Sequence, residues 1–333
     1  MLRLFKSNHP LVVALVLAAA VLLHLKNFLH PESVTINFDA PLAQALAWLL
    51  HLIPFRNEIV ETVFCVLLLF TQAIYFNYIL DKYKIVERGN YTGAYIFILL
   101  SCMLPAFLAL TPAFVANFFL LLEIDFLFSV YKKEKAGSEI FDLGFFISVA
   151  SLIYFPSLAF IVFLLLGMLV LRPLRISEWF VMFTGVLVPY FLCGVYFFWF
   201  DRLGEFFSGI KFFIPSLSDF SFLLKTEVWV ISVFIFFLLM LSLTKIQTNY
   251  FKTLVQIRNY FWVLVFFSLL GFLSVFLKAT HNENDFIWMV IAAAVAFTYT
   301  LPLVKKQWVA EVLHLILLLF ILFFQFEEQL NLF

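Results

Sequence analysis

Residues 132–175 read KKEKAGSEIFDLGFFISVASLIYFPSLAFIVFLLLGMLVLRPLR, and the way this stretch is folded sets the topology of the chain. About thirty apolar residues, 141–171, lie between Lys132, Lys133 and Lys135 on one flank and Arg172 and Arg175 on the other. One crossing of a ~30 Å hydrocarbon core takes about 20 helical residues, so the stretch is too long for one straight span and short for two. Cationic loops collect on the cytoplasmic side, so basic flanks at both ends call for an even number of crossings. Pro156 supplies a break, because proline removes a helical donor and crowds the preceding turn. The expected fold here is a hairpin of two helices, 141–155 and 156–171. A single span would invert everything downstream.

The same ruler marks helices at about 10–28, 59–80, 92–110, 112–130, 180–200, 228–244, 261–278, 286–304 and 309–325, eleven in all with the hairpin. Fifteen of the 21 basic residues fall at alternate gaps, in the clusters Arg3 and Lys6; Lys82, Lys84 and Arg88; Lys132, Lys133 and Lys135; Arg172 and Arg175; Lys245, Lys252 and Arg258; and Lys305 and Lys306. The opposite gaps hold Lys26, Arg56, Arg202, Lys211, Lys225 and Lys278. This asymmetry places the N-terminus in the cytoplasm and the C-terminus outside. The first run stays apolar beyond Ala18, Ala19 and Ala20 to Leu25, which suits an uncleaved span better than a signal peptide.

Composition agrees. Hydrophobic residues make up 65% of the chain and charged ones 13%, with a mean hydropathy of +1.06, so water is not its main solvent. The expected fold class is all-α: a single polytopic membrane domain over residues 1–333, in a bacterial inner membrane. A net charge of zero excludes the basic face of a nucleic-acid partner. Cys65, Cys102 and Cys193 sit in apolar runs and read as small apolar residues rather than disulfide partners or metal ligands. The 48 Phe residues read as hydrocarbon-soluble substitutes for Leu, not as an aromatic cage. No Gly-rich phosphate loop, Gly-x-Ser-x-Gly or His-Glu-x-x-His appears, and no cofactor or metal is expected. No apolar span carries a Gly-x-x-x-Gly pair, which weighs against the broken helices of many transporters.

Three segments suit the membrane surface. Residues 40–53 are apolar but too short to cross, and Pro54 closes them; residues 201–227 mix Phe with charges of both signs. These two share the outer side and together roof one cavity. Residues 245–260 place Ile246, Tyr250, Leu254 and Ile257 at helical spacing, as in a helix lying on the anionic inner leaflet. Charges within apolar spans are costly, which singles out Glu123 and Asp125. Two residues apart on a helix, they face different ways, and a neighbour such as Asn77 is the expected partner. Glu58 and Glu61, three residues apart at the outer start of the second span, share a face where acids also suit the helix dipole. Glu58, Glu61 and Glu123 are the candidate intramembrane functional residues. Glu311 and His314 have the spacing of half a carboxylate-bridged metal site, without the other half.

The stretches QAIYFNYILDK (72–82), LALTPAFVAN (108–117), IFDLGFFISVASLIYFP (140–156) and RPLRISEW (172–179) resemble an uncharacterised inner-membrane family of Bacteroidota that bears a domain-of-unknown-function label. More distantly, the layout resembles the C-type glycosyltransferases, which move sugars from polyprenyl-phosphate donors at the outer face. The shared features are a first span, an acid-bearing outer loop, an apolar hairpin near Asp142 and the basic inner loop at Arg172 and Arg175. The resemblance implies Glu32 and Asp39 as candidate catalytic bases, and Lys26, Arg56 and Arg202 as phosphate-binding cations. The chain departs from that pattern in having no adjacent acidic pair after the first span and no soluble outer domain after the last. The partner implied is a membrane lipid or lipid-linked sugar. Two other classes of function compete: a non-catalytic membrane subunit of an envelope-assembly, secretion or motility complex, with membrane-protein partners, and a transporter or lipid flippase. The charge pattern makes a direct prediction about the termini: an accessibility tag at residue 1 is protected in intact cells, whereas one after residue 333 is reached from outside. A cytoplasmic C-terminal tag would refute the count of eleven.

Overall fold

The structure, a computed structural model, describes residues 4–5, 7, 9–29, 40–45, 58–86, 89–173, 175–210, 254–274, 283–303 and 307–330, with isolated positions between 233 and 248. Helix α1 (Pro10–Leu23) and the short α2 (Leu25–Leu29) precede a helical turn at 41–45. Then come α3 (Glu58–Lys82), α4 (Thr92–Ser101), α5 (Pro112–Ser129), α6 (Gly137–Ile153), α7 (Phe160–Leu171), α8 (Ile176–Trp199), α9 (Leu203–Gly209), α10 (Val255–Ser274), α11 (Met289–Leu303) and α12 (Gln307–Leu330). Tight 3-10 turns occupy Pro105–Leu108, Phe155–Ala159 and Glu283–Trp288. No strand occurs among the described residues. Helices α3, α5, α8 and α10, and residues Phe286–Leu303, are long and apolar enough to cross a membrane; this is the composition of a membrane protein. Helices α1 and α4, with the segments Phe155–Leu171 and Trp308–Phe323, are apolar but shorter. Most of the expected span at 228–244 lies outside the described residues.

The 132–175 stretch is a hairpin. Helix α6 ends at Ile153, the chain turns through Tyr154 with Pro156 in the first positions of the 3-10 turn, and α7 runs back. At its end, Arg172 Nη1 donates to Val130 O at 3.1 Å and to Lys133 O at 2.6 Å, so the two basic flanks meet. The same end of the bundle collects Lys82, bonded to Asp125, and Tyr260, whose hydroxyl donates to Phe128 O at 3.2 Å. At the opposite end, Trp288 lies edge-on to Tyr154 and Phe160 with ring centroids 5.4 and 5.2 Å apart. Phe5 O accepts from Tyr91 N at 2.8 Å at the basic end, and Gln325 Nε2 donates to Cys102 O at 3.2 Å near the other.

Two expected elements are corrected. The span drawn at 92–110 is a ten-residue helix, α4, buried on every side, followed by a non-α stretch to Thr111. Leu104–Pro105 ends helical geometry there, and Thr111 starts α5 by accepting Phe114 N on its hydroxyl at 3.2 Å, ahead of Pro112. The surface helix drawn at 245–260 is corrected in its last six residues: 255–260 are the opening of α10, and Tyr260 is buried with its ring stacked 4.0 Å from Phe128. Burial of that aromatic ring outweighs the amphipathic spacing.

Helices α6 and α8 share the largest helix–helix contact, and glycine permits it. A Cβ on Gly144 would come within 2.0 Å of Met182 O, and one on Gly185 within 2.3 Å of Phe141 O. The two glycines belong to different helices, so neither forms a pair along one span. Backbone cannot yield as a flexible side chain does, so Gly144→Leu or Gly185→Leu should each cost about 1–3 kcal/mol or more of stability. Thermal unfolding in detergent would check this, with Gly137→Ala, where nothing lies within 4 Å of a new Cβ, expected to show no loss.

Candidate functional site

Helix α8 ends at Trp199, and the chain reverses at Asp201, whose φ of 55° is the left-handed conformation that aspartate tolerates better than branched residues. Arg202 N donates back to Phe197 O at 2.9 Å, which lays α9 along the end of α8. Phe206 of α9 then packs with Phe197 and with Leu152 of α6 in a small buried cluster, and Leu42 of the 41–45 turn packs against that cluster too. Residues 40–45 and 201–210 therefore lie together over the tip of the α6–α7 hairpin.

Between the hairpin tip, α8 and α9 runs a groove of about 770 Å³. Its walls are Phe155 and Leu158 from the hairpin tip, a face of α8 that includes Leu187, Tyr190 and Phe191, and Phe206 with Ile210 from α9. The lining hydroxyls are engaged within the protein. Tyr190 shares a 2.8 Å hydrogen bond with Ser151, and Thr184 donates to Val181 O at 2.7 Å. What the groove offers a ligand is hydrocarbon surface. Arg202 and Glu205 sit on the outer side of the same turn of α9, about half exposed and bonded to one another. That bond holds the Glu205 carboxyl below its ordinary range.

Of the expected phosphate-binding cations, Arg202 stands beside this groove. Lys26 is half-buried on α2, next to Asn27, whose amide donates to Leu108 O at 3.2 Å. Arg56, Glu32 and Asp39 lie outside the described residues, as do 46–53 and 211–227 of the two roofing segments. Glu58 and Glu61 occupy the first turn of α3; Glu58 is exposed, and its backbone oxygen accepts from Thr62 Oγ1 at 3.0 Å.

The intramembrane acids separate sharply. Asp125 accepts from Tyr75 Oη at 2.8 Å, Tyr83 Oη at 2.7 Å and Lys82 Nζ at 2.7 Å. Glu123 is fully buried, and among the described residues neither carboxyl oxygen has a hydrogen-bond partner. Asn77 is not the partner of either acid. Its amide donates to Asn90 O at 2.9 Å, and its carbonyl accepts from Ala94 N at 3.2 Å. The partners of Asp125 are the functional-looking residues that sequence reasoning missed, although Tyr75 and Lys82, seven apart on one helical face opposite a lone acid, carried the signal.

His314 Nε2 meets Tyr95 Oη at 2.8 Å. Cys65 and Cys102 approach His24 at 3.9 and 4.0 Å, but on opposite ring nitrogens, which one ion does not bridge. Among the described residues no group of three or more His, Cys, Asp or Glu side chains is placed to hold a metal. No family model, curated protein or solved structure matches the chain.

Asp125 is the group whose loss the bundle should feel most. Asp125→Ala strands one ammonium and two phenols; breaking a buried pair costs about 3–5 kcal/mol, and with Lys82 35% exposed we expect about 2–3. Tyr75→Phe should cost about 1 kcal/mol. Thermal melts of the purified variants measure both.

Proposed function

We propose that this chain is a multi-pass protein of the bacterial inner membrane that receives a lipid-linked substrate, a polyprenyl-phosphate sugar, at its periplasmic face and transfers the sugar from it. In this reading the chain crosses eleven times, the end bearing Lys82, Lys133 and Arg172 faces the cytoplasm, and the α8–α9 end faces the periplasm. The observation that carries the proposal is the groove. Its 770 Å³ lies within the ~300–1,000 Å³ typical of ligand sites, its walls are apolar, and its own polar groups are already bonded. A hydrocarbon chain meets those conditions; a sugar or peptide would lose hydrogen bonds to water there without replacement. Arg202 adds charge complementarity beside it for a phosphate.

The chemistry then needs a base and cations. A carboxylate that precedes the 41–45 turn in sequence, Glu32 or Asp39, takes the proton from the acceptor hydroxyl. The acceptor oxygen forms a bond to the anomeric carbon, and the bond from that carbon to phosphate oxygen breaks. The lipid phosphate leaves as an anion, held by Arg202 with Lys26 and Arg56.

Two measurements test this. A photoactivatable polyprenyl phosphate should cross-link to α8 and α9 in native membranes, and Leu187→Trp, which fills the groove, should cut that yield by about tenfold. Asp39→Asn or Glu32→Gln should fail to restore a strain lacking the protein while reaching normal levels in the membrane. Unchanged cross-linking in Leu187→Trp, together with full rescue by the Glu32→Gln/Asp39→Asn double variant, would overturn the proposal.

A further inference from the structure

We infer that Glu205 is an internal stand-in for the ligand's phosphate: the Arg202–Glu205 ion pair closes the anion site beside the groove, and a long-chain lipid phosphate binds by taking Arg202 from Glu205. This rests on the groove being a lipid site and adds what recognises the headgroup.

The geometry of the pair is the first support. Arg202 Nε donates to Glu205 Oε1 at 2.9 Å while Nη2 donates to Oε2, a two-pronged contact of the kind guanidinium also makes with phosphate. A carboxylate and a phosphate are thus alternative occupants of one fork. Placement is the second support. Arg202 caps α9 and is anchored by its own backbone to Phe197 O, and Phe206, the residue after Glu205, enters the groove wall. A chain lying in the groove with its headgroup toward the surface brings its phosphate to the turn that carries this pair.

Strength is the third. The two side chains are 54% and 48% exposed, so water screens the attraction and the pair is easily exchanged for a more highly charged anion. A pair buried to the depth of Lys82–Asp125 would not exchange in this way. Glu205 also repels any anion that fails to displace it, so neutral lipids and carboxylate lipids gain nothing from Arg202, and a phosphate does. The carboxylate thus sets selectivity without touching the chain.

The test uses the full chain in neutral-lipid nanodiscs and three probes: hexadecyl phosphate, hexadecanol and inorganic phosphate, each competing with a photoactivatable hexadecyl lipid. Wild-type protein should prefer hexadecyl phosphate to hexadecanol. Glu205→Gln should tighten hexadecyl phosphate by about fivefold, the scale of an exposed ion pair, and leave hexadecanol unchanged. Arg202→Gln should erase the preference while retaining hexadecanol, and inorganic phosphate should compete with neither. The inference is overturned if Glu205→Gln binds hexadecyl phosphate no tighter than wild type, if Arg202→Gln keeps the preference, or if inorganic phosphate competes as well as the alkyl ester. Hexadecanol separates the two levels: its failure to bind any variant removes the groove reading itself, whereas its retention without a phosphate preference removes only the role of the pair.

Discussion

Hydrocarbon and packed apolar side chains offer no hydrogen bond to a carbonyl, and this chain leaves regular helix inside its bundle, towards the end that carries Trp288. From Cys102 to Thr111 the backbone is not α-helical, yet most of those side chains are buried. Such backbone persists only where protein supplies the missing partners. Here Gln325 of α12 donates to Cys102 O, and Asn27 of α2 and the Cys65 thiol of α3 donate to Leu108 O. Those bonds tie three widely separated parts of the chain to one irregular stretch. Gln72 and Trp288 add donors to Phe114 O and Ala113 O where α5 begins. The break thereby organises its neighbours: it shortens α4, starts α5 deep in the bundle and draws the Glu283–Trp288 turn onto Pro105–Leu108.

The opposite end is held by charge. Asp125 gathers Lys82, Tyr75 and Tyr83, and Arg172 spends one nitrogen on the 130–133 turn and the other on Glu178 at 2.7 Å. Both cations come from the basic clusters that flank the apolar segments, and both close the same end of the bundle. Glu123, half a turn from Asp125, has no such company among the described residues. The contrast shows that depth alone does not explain an intramembrane acid; the neighbours that converge on it do.

The groove arises from these constraints at second hand. Gly144 and Gly185 bring α6 and α8 to backbone contact, Tyr190 and Phe197 keep the far half of α8 against Ser151 and Leu152, and Asp201 turns α9 back along the end of α8. Phe206 seals one side against Phe197 and Leu152, while Leu187 and Phe191 remain open. An apolar trough with a two-pronged cation on the same short helix is a sensible place for an amphiphile, and it is assembled from two helices and a turn that no local motif connects.

The all-helical fold, the apolar character of the long helices and the break at Pro156 were legible along the chain, because hydropathy and proline geometry act through free energies that add residue by residue. That residues 40–45 and 201–210 come together was legible too, and in the structure Leu42 packs against the cluster of Leu152, Phe197 and Phe206. Which groups meet was not. The end of α4 at Ser101, the partition of two glycines between α6 and α8, the claim of Tyr75, Lys82 and Tyr83 on Asp125, and the opening between α8 and α9 all come from side chains brought together across tens to hundreds of residues. Transfer energies are written into a sequence one position at a time; contact, close approach and empty volume exist only between positions, once helices have packed.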